Sequence, residues 1–185
     1  GKSFTLVQQC IAINHYFPSA IIACVMYNSK NVPEMERRMA DAGVLKTTVG
    51  TVHKFSFSAY KEKHGHSQAN KTKTSDAAEL LYKFLFEDLT AICRMVDLAK
   101  DTGICLTAND FITNEAWQHI IAEYDVQFKS ESLPPNKVYE FASRLFQETI
   151  NDTTSCGFSD MIAIPLYHGY PFRKYDFVLV DEAQD

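Results

Sequence analysis

With 185 residues, 46% of them apolar and 22% charged, the chain can bury a sizeable soluble core, and neither a disordered nor a membrane class is indicated. A net charge of −5 excludes nucleic-acid binding through global basicity, so any polynucleotide contact has to come from a local patch. The cysteines, at 10, 24, 93, 105 and 156, lack disulfide-like or metal-ligand spacing and read as reduced, mostly core thiols of an intracellular protein, in cytoplasm or nucleus. No run reaches the roughly 20 apolar residues that would cross a membrane.

Gly1-Lys2-Ser3 opens an amphipathic run to about Phe17, with Phe4, Leu6, Val7, Cys10, Ile11 and Ile13 near helical spacing and Pro18 ending it. Ala20 to Tyr27 is a continuous apolar run of strand length. A helix is expected from about Pro33 to Ala42, with proline in its first turn and Gly43 as its stop. Thr47 to Thr51 is short and β-branched, and Val52 to Tyr60 is aromatic-rich and helical in pattern. Residues 61–74 are polar and basic, which predicts a solvated loop, with a phosphate-backbone contact as the second reading. A single helix is expected from Asp76 to about Lys100, started by a capping box of Asp76 with Glu79 and closed by Gly103. Further helices are expected at about Thr113 to Tyr124, Pro135 to Ile150 and Cys156 to Leu166. Phe177-Val178-Leu179-Val180 then reads as a strand buried on both faces. The fold class is therefore α/β, a parallel sheet interrupted by a block of helices.

The two ends carry the chemistry. Gly-Lys-Ser at the start of a helix is the second half of a phosphate-binding loop. Amides cradle phosphate there, Lys2 reaches the outer phosphates and the Ser3 hydroxyl is a hard ligand for Mg²⁺. Asp181 and Glu182 follow the last strand at the edge where open α/β sheets bind ligands. Asp181 suits a metal and Glu182 a general base acting on water. Either pattern alone is weak, but the two at opposite ends of one α/β pattern point to ATP with Mg²⁺. The chain begins and ends within these working parts, so the expectation is a piece of a longer protein with an incomplete domain.

Val180-Asp181-Glu182-Ala183-Gln184-Asp185 resembles the Walker B motif of superfamily 1 DNA helicases of the UvrD/Rep type. Ile21 to Met39, with Tyr27, Lys30, Glu34 and Met35 in register, is similar to the family's motif Ia. Val49-Gly50-Thr51-Val52-His53-Lys54-Phe55 is similar to its Gly-Thr-Phe-His segment, and Phe158-Ser159-Asp160-Met161 to a Phe-x-Asp-Leu run ahead of Walker B. The resemblance implies a P-loop, RecA-like ATPase core in 1–60, a helical insertion in 61–155 and a return to the Walker B strand in 156–185. It further implies an ATP-dependent helicase or translocase on single-stranded or partly duplex DNA, acting in DNA repair or a related pathway. Gly1, Lys2, Ser3 and Gln184 would contact nucleotide, Ser3 and Asp181 the metal, and Tyr27, Lys30, Thr51 and His53 the DNA. Lys54, where a small residue is common, would add a phosphate contact. The same ATPase half occurs in RecB/AddA-type helicase–nucleases and F-box helicases, and a non-catalytic ATP- or DNA-binding scaffold is the remaining alternative.

Overall fold

The structure, a computed structural model, describes residues 2–65, 68–82, 87–104, 112–129 and 133–183, the side chains of Lys2 and Gln68 excepted. In chain order its elements are α1 (Lys2–Tyr16), β1 (Ile22–Val25), a 3₁₀ turn (Ser29–Asn31), α2 (Val32–Asp41), β2 (Thr47–Gly50) and α3 (Val52–His64). There follow β3 (Gln68–Ala69), α4 (Lys73–Leu81), α5 (Leu89–Asp101), α6 (Asn114–Glu123), α7 (Pro135–Asn151), β4 (Ser155–Cys156), α8 (Asp160–Tyr167) and β5 (Phe177–Val180). They form two compact units, Gly1–Ser58 with Phe172–Asp185, and Ala59–Pro171.

The first unit is wound around a parallel sheet in the order β2-β1-β5. Its register aligns Cys24 with Val49 on one side and Leu179 on the other, so these side chains share a face. That face is filled by Leu6, Val7 and Cys10 of α1 and by Met35 and Met39 of α2, the helical spacings that bring apolar groups onto one stripe. Pro33 lies in the first turn of α2, and Gly43, at φ +72°, ends it while the Val44 amide bonds back to the Met39 carbonyl at 2.9 Å.

One expectation fails in this sheet. β5 is not buried on both faces: Phe177 and Leu179 are half-buried against the core, whereas Val178 is 59% and Val180 48% exposed. β5 is an edge strand paired only with β1 among the described residues, and its apolar run conceals an alternation that the sequence cannot display when both faces carry valine-like residues.

The second unit is helical, with Trp117, Ile92, Met95, Ile120, Leu145, Phe146 and Ile150 fully buried. Polar atoms of its large aromatics are satisfied: Trp117 Nε1 donates to Ser143 Oγ (2.8 Å), and the Tyr60 and Tyr82 hydroxyls donate to the Thr153 (2.7 Å) and Phe141 (3.2 Å) carbonyls. The single helix expected over 76–100 is two. α4 ends at Leu81, where Tyr82 leaves helical geometry and buries its ring, leaving Leu80 76% exposed. The Asp76–Glu79 capping box is not formed, because α4 starts three residues earlier. Asp76 Oδ2 instead accepts from Asn70 Nδ2 and Thr72 Oγ1, tying the helix to the preceding turn.

The loop expected at 61–74 is also shorter than its composition implies. α3 continues to His64, β3 pairs in parallel with β4, and Lys73 enters α4 as a buried residue. The segment 156–166 accordingly begins as the β4 strand and becomes helical only at Asp160. Two-residue strands carry too little pattern to be read from sequence.

Candidate functional site

Three strands of one direction end at a common edge. There the Met26 amide bonds to the Gly50 carbonyl and the Asp181 amide to the Val25 carbonyl, each at 2.8 Å. The residues that follow, Tyr27 after β1, Thr51 after β2 and Asp181 after β5, therefore line one carboxyl edge, the outer two roughly 10 Å apart at two strand spacings. α1 brings Ser3 to the same edge. Its C-terminal end lies at the opposite edge, with the Phe17 and Phe177 rings 5.4 Å apart, and Cys10 packs in the same core as Cys24 at mid-strand. Ser3 lies seven residues before Cys10, about 10 Å of helix further toward the strands' carboxyl ends. No acidic residue occupies the first turn of α1, so its positive end has no local carboxylate to neutralise it.

Asp181 is buried, 8% exposed, and no hydrogen bond or ion pair reaches its carboxylate among the described residues. Its charge is felt by Cys24, whose thiol is pushed up to about 12 chiefly by burial, with Cys10 and Asp181 adding to the shift. An unpartnered carboxylate at this edge is open to a cation. Together with the Ser3 hydroxyl it offers the hard oxygen donors that Mg²⁺ takes, so this edge fits a metal–nucleotide. Glu182, half-buried, follows with φ at +53°, a left-handed backbone that a non-glycine residue seldom adopts and that is concentrated at functional sites. The Lys2 side chain and residues Gly1 and Gln184 lie outside the described residues.

The four residues expected to meet DNA are spread along the same edge. Tyr27 is 69% exposed, its ring open to stacking, and Lys30 is exposed in the 3₁₀ turn, where Asn28 Oδ1 accepts the Lys30 amide at 2.9 Å and fixes the turn. Thr51 precedes α3 and its Oγ1 accepts the Lys54 amide at 3.3 Å. His53 is half-buried in the helix's first turn.

Lys54 corrects an expectation. Its chain folds back over Gly50 and its ammonium donates to the Val49 carbonyl at 2.8 Å and to Glu36 at 3.4 Å, so it braces the end of β2 instead of reaching outward. Glu34 likewise acts within α2. Arg37 and Arg38 both bond its carboxylate, and these bonds hold it down to about 2.

The model of the UvrD/REP helicase N-terminal domain matches residues 1–185, the whole of the sequence. The chain belongs to the UvrD/REP helicase family. Comparison with curated proteins and with solved structures finds no match. Membership of the UvrD/REP helicases carries ATP and DNA binding as the general activity of the domain, and the α/β fold with its parallel sheet agrees with a P-loop NTPase. No helix among the described residues is long and apolar enough to cross a membrane.

Sequence reasoning missed the most buried charges of this UvrD/REP chain. Asp160, 1% exposed, accepts the Gly157 amide at 3.0 Å and pairs with Lys73 (2.9 Å) and Lys100 (2.7 Å), which are 4% and 1% exposed. The Lys100 contact is a close ion pair whose angles fall outside hydrogen-bond geometry. The signal was present in α5, because Lys100 continues the i, i+4 stripe of Ile92 and Val96 that faces the core.

Proposed function

We propose that the carboxyl edge of the β2-β1-β5 sheet is the ATP-hydrolysing site of a DNA helicase, and that the exposed loops along it meet single-stranded DNA. The observation that carries this is Asp181: a carboxylate without a protein partner among the described residues, in a residue only 8% exposed at the end of β5, the strand whose sequence resembles the family's Walker B. Lys2 and Ser3 would hold the outer phosphates and the metal, with Asp181 as the acidic ligand and Gly1 and Gln184 lining the nucleotide. Bound Mg²⁺ supplies charge neutralisation at the transferring phosphoryl group.

Glu182 orients and deprotonates the attacking water. Its left-handed backbone turns the chain sharply after Asp181, so consecutive carboxylates serve two tasks, one to the metal and one to water. Tyr27 stacks on a base while Lys30, Thr51 and His53 donate to phosphates, the division of labour by which single strands are held without sequence preference. Gly1–Ser58 with Phe172–Asp185 would form the ATPase core and Ala59–Pro171 the helical insertion.

The test is the ATPase rate of the full-length reading frame with and without single-stranded DNA, beside Glu182→Gln. DNA-stimulated turnover that falls at least a hundredfold in the variant, with nucleotide still bound, supports the site and its base. A folded protein without DNA-dependent turnover, or a variant of unchanged rate, rejects the reading.

A further inference from the structure

We infer that the opposite, amino-terminal edge of the same sheet holds a second site, one for a phosphate group. A cavity of about 430 Å³ opens there, lined by Ser19, Lys46, Thr47, Thr48 and Arg173. These residues precede or begin β1, β2 and β5, so the length of the strands separates them from Asp181, and the site stands on its own residues independently of the ATPase reading.

The lining has the chemistry of an anion site. Lys46 and Arg173 are exposed, and neither is paired with a carboxylate among the described residues. Both are held in place from the side. The Lys46 ammonium donates to the Pro18 carbonyl at 3.3 Å, and the Arg173 guanidinium lies 5.5 Å from the Tyr175 ring centroid. Tyr175 is in turn fixed edge-on against Phe55, with ring centroids 5.7 Å apart. Ser19, Thr47 and Thr48 add three hydroxyl-bearing side chains to the two cations of this lining. Hydroxyls beside two cations that are held in place are donors suited to an anion's oxygens.

The carboxylate closest in sequence, Asp176, is already engaged: its Oδ2 accepts the Ile21 amide at 2.8 Å and secures the start of β1. In a chain of net charge −5 such a cluster is a local exception, and it suits a tetrahedral oxyanion that takes several donors at once. The phosphate comes either free or as part of a polynucleotide backbone.

The experiment follows backbone amide resonances of the 185-residue chain at constant ionic strength. Inorganic phosphate is titrated in one arm and a single-stranded oligonucleotide in the other, against Lys46→Glu, Arg173→Glu and, as a control of equal charge change, Lys137→Glu. The inference expects phosphate to shift Thr47 and Thr48, with affinity falling at least tenfold in the first two variants and holding in the third. If the oligonucleotide shifts the same amides and the salt slope of its binding drops by about 1 in each of the two variants, the source is a backbone phosphate; if only inorganic phosphate does so, the source is free anion. Shifts confined to Ser3 and Phe4 would support the carboxyl-edge site and overturn this one. Unshifted Thr47 and Thr48 in both arms, or shifts that persist in the two variants, also overturn it. Should charge reversal unfold the chain, Lys46→Gln and Arg173→Gln carry the same comparison.

Discussion

The Lys100 ammonium lies 2.7 Å from the Asp160 carboxylate, and each residue is only 1% exposed. With Lys73 at 2.9 Å on the other oxygen, a single carboxylate from α8 holds lysines from α4 and α5. Removing that carboxylate leaves the buried Lys100 ammonium without its counter-charge, while Lys73 keeps only the Asp152 carbonyl at 2.6 Å and the Asp152 carboxylate at 3.9 Å. Asp160→Asn is therefore expected to destabilise the helical unit by about 3–5 kcal/mol, and Lys100→Met by less, since Lys73 continues to neutralise Asp160. Urea denaturation of the two variants decides it; equal losses would mean that the triad does not act as a unit.

Acid should dissolve the same node. Burial alone would raise the Asp160 carboxyl, but the charges of Lys100 and Lys73 outweigh it and hold it below the ordinary carboxylate range. A carboxylate depressed on folding contributes stability that is complete above its unfolded value and is lost as pH falls through its folded one. Asp97, raised by burial despite the Thr74 hydroxyl that bonds it at 2.7 Å, has the opposite sign and loses stability as pH climbs past the ordinary range. The stability gap between the wild-type chain and Asp160→Asn isolates the first effect, and it should narrow between about pH 5 and pH 3. A gap of constant size across that span would refute the assignment.

How much of this could be read in advance depends on the range of the forces involved. The winding of the first unit was legible because buried strands and amphipathic helices alternate within short windows, and Gly43 marks a stop at φ +72°, as Gly103 at +74° does after α5 in the second unit. The acids at 181 and 182 were legible as a motif, but not the backbone of Glu182 or the isolation of Asp181, which depend on strands far away in sequence. Lys73 looked like part of a solvated loop because local composition was basic. Its partner is 87 positions further on, and no window shows that. The break at Tyr82 was hidden for a similar reason: the helical period continues through 82, and only the burial of that ring against Phe141 ends the helix.

Gly50 tests the end of β2. A Cβ there would lie 2.6 Å from Cδ of Lys54, whose ammonium is engaged by the Val49 carbonyl and Glu36. Gly50→Ala should displace the lysine and cost about 1 kcal/mol, the worth of the hydrogen bonds it gives up. The same substitution made in a Lys54→Ala background should cost less, because of the three close atoms only the Cβ of residue 54, 3.3 Å away, remains. A double-mutant cycle in urea reads the coupling directly, and full additivity would show that the clash is relieved by other means.

Glu182 separates backbone from side chain at the proposed catalytic edge. At φ +53° any residue with a Cβ is strained, by roughly 1–2 kcal/mol, whereas glycine is not. Glu182→Gly and Glu182→Ala both remove the carboxylate, so both should abolish DNA-dependent ATP turnover in the full-length protein. Their stabilities should differ, with the glycine variant above the alanine variant by about 1 kcal/mol. Were the alanine variant the more stable, the left-handed turn would not be a feature of the folded chain, and the division of roles between Asp181 and Glu182 would lose its geometric basis. If the stabilities order as expected but activity survives in either variant, the backbone turn stands and the general base must be sought elsewhere along the edge. Measured together, the two quantities test the conformation and the chemistry of this residue independently.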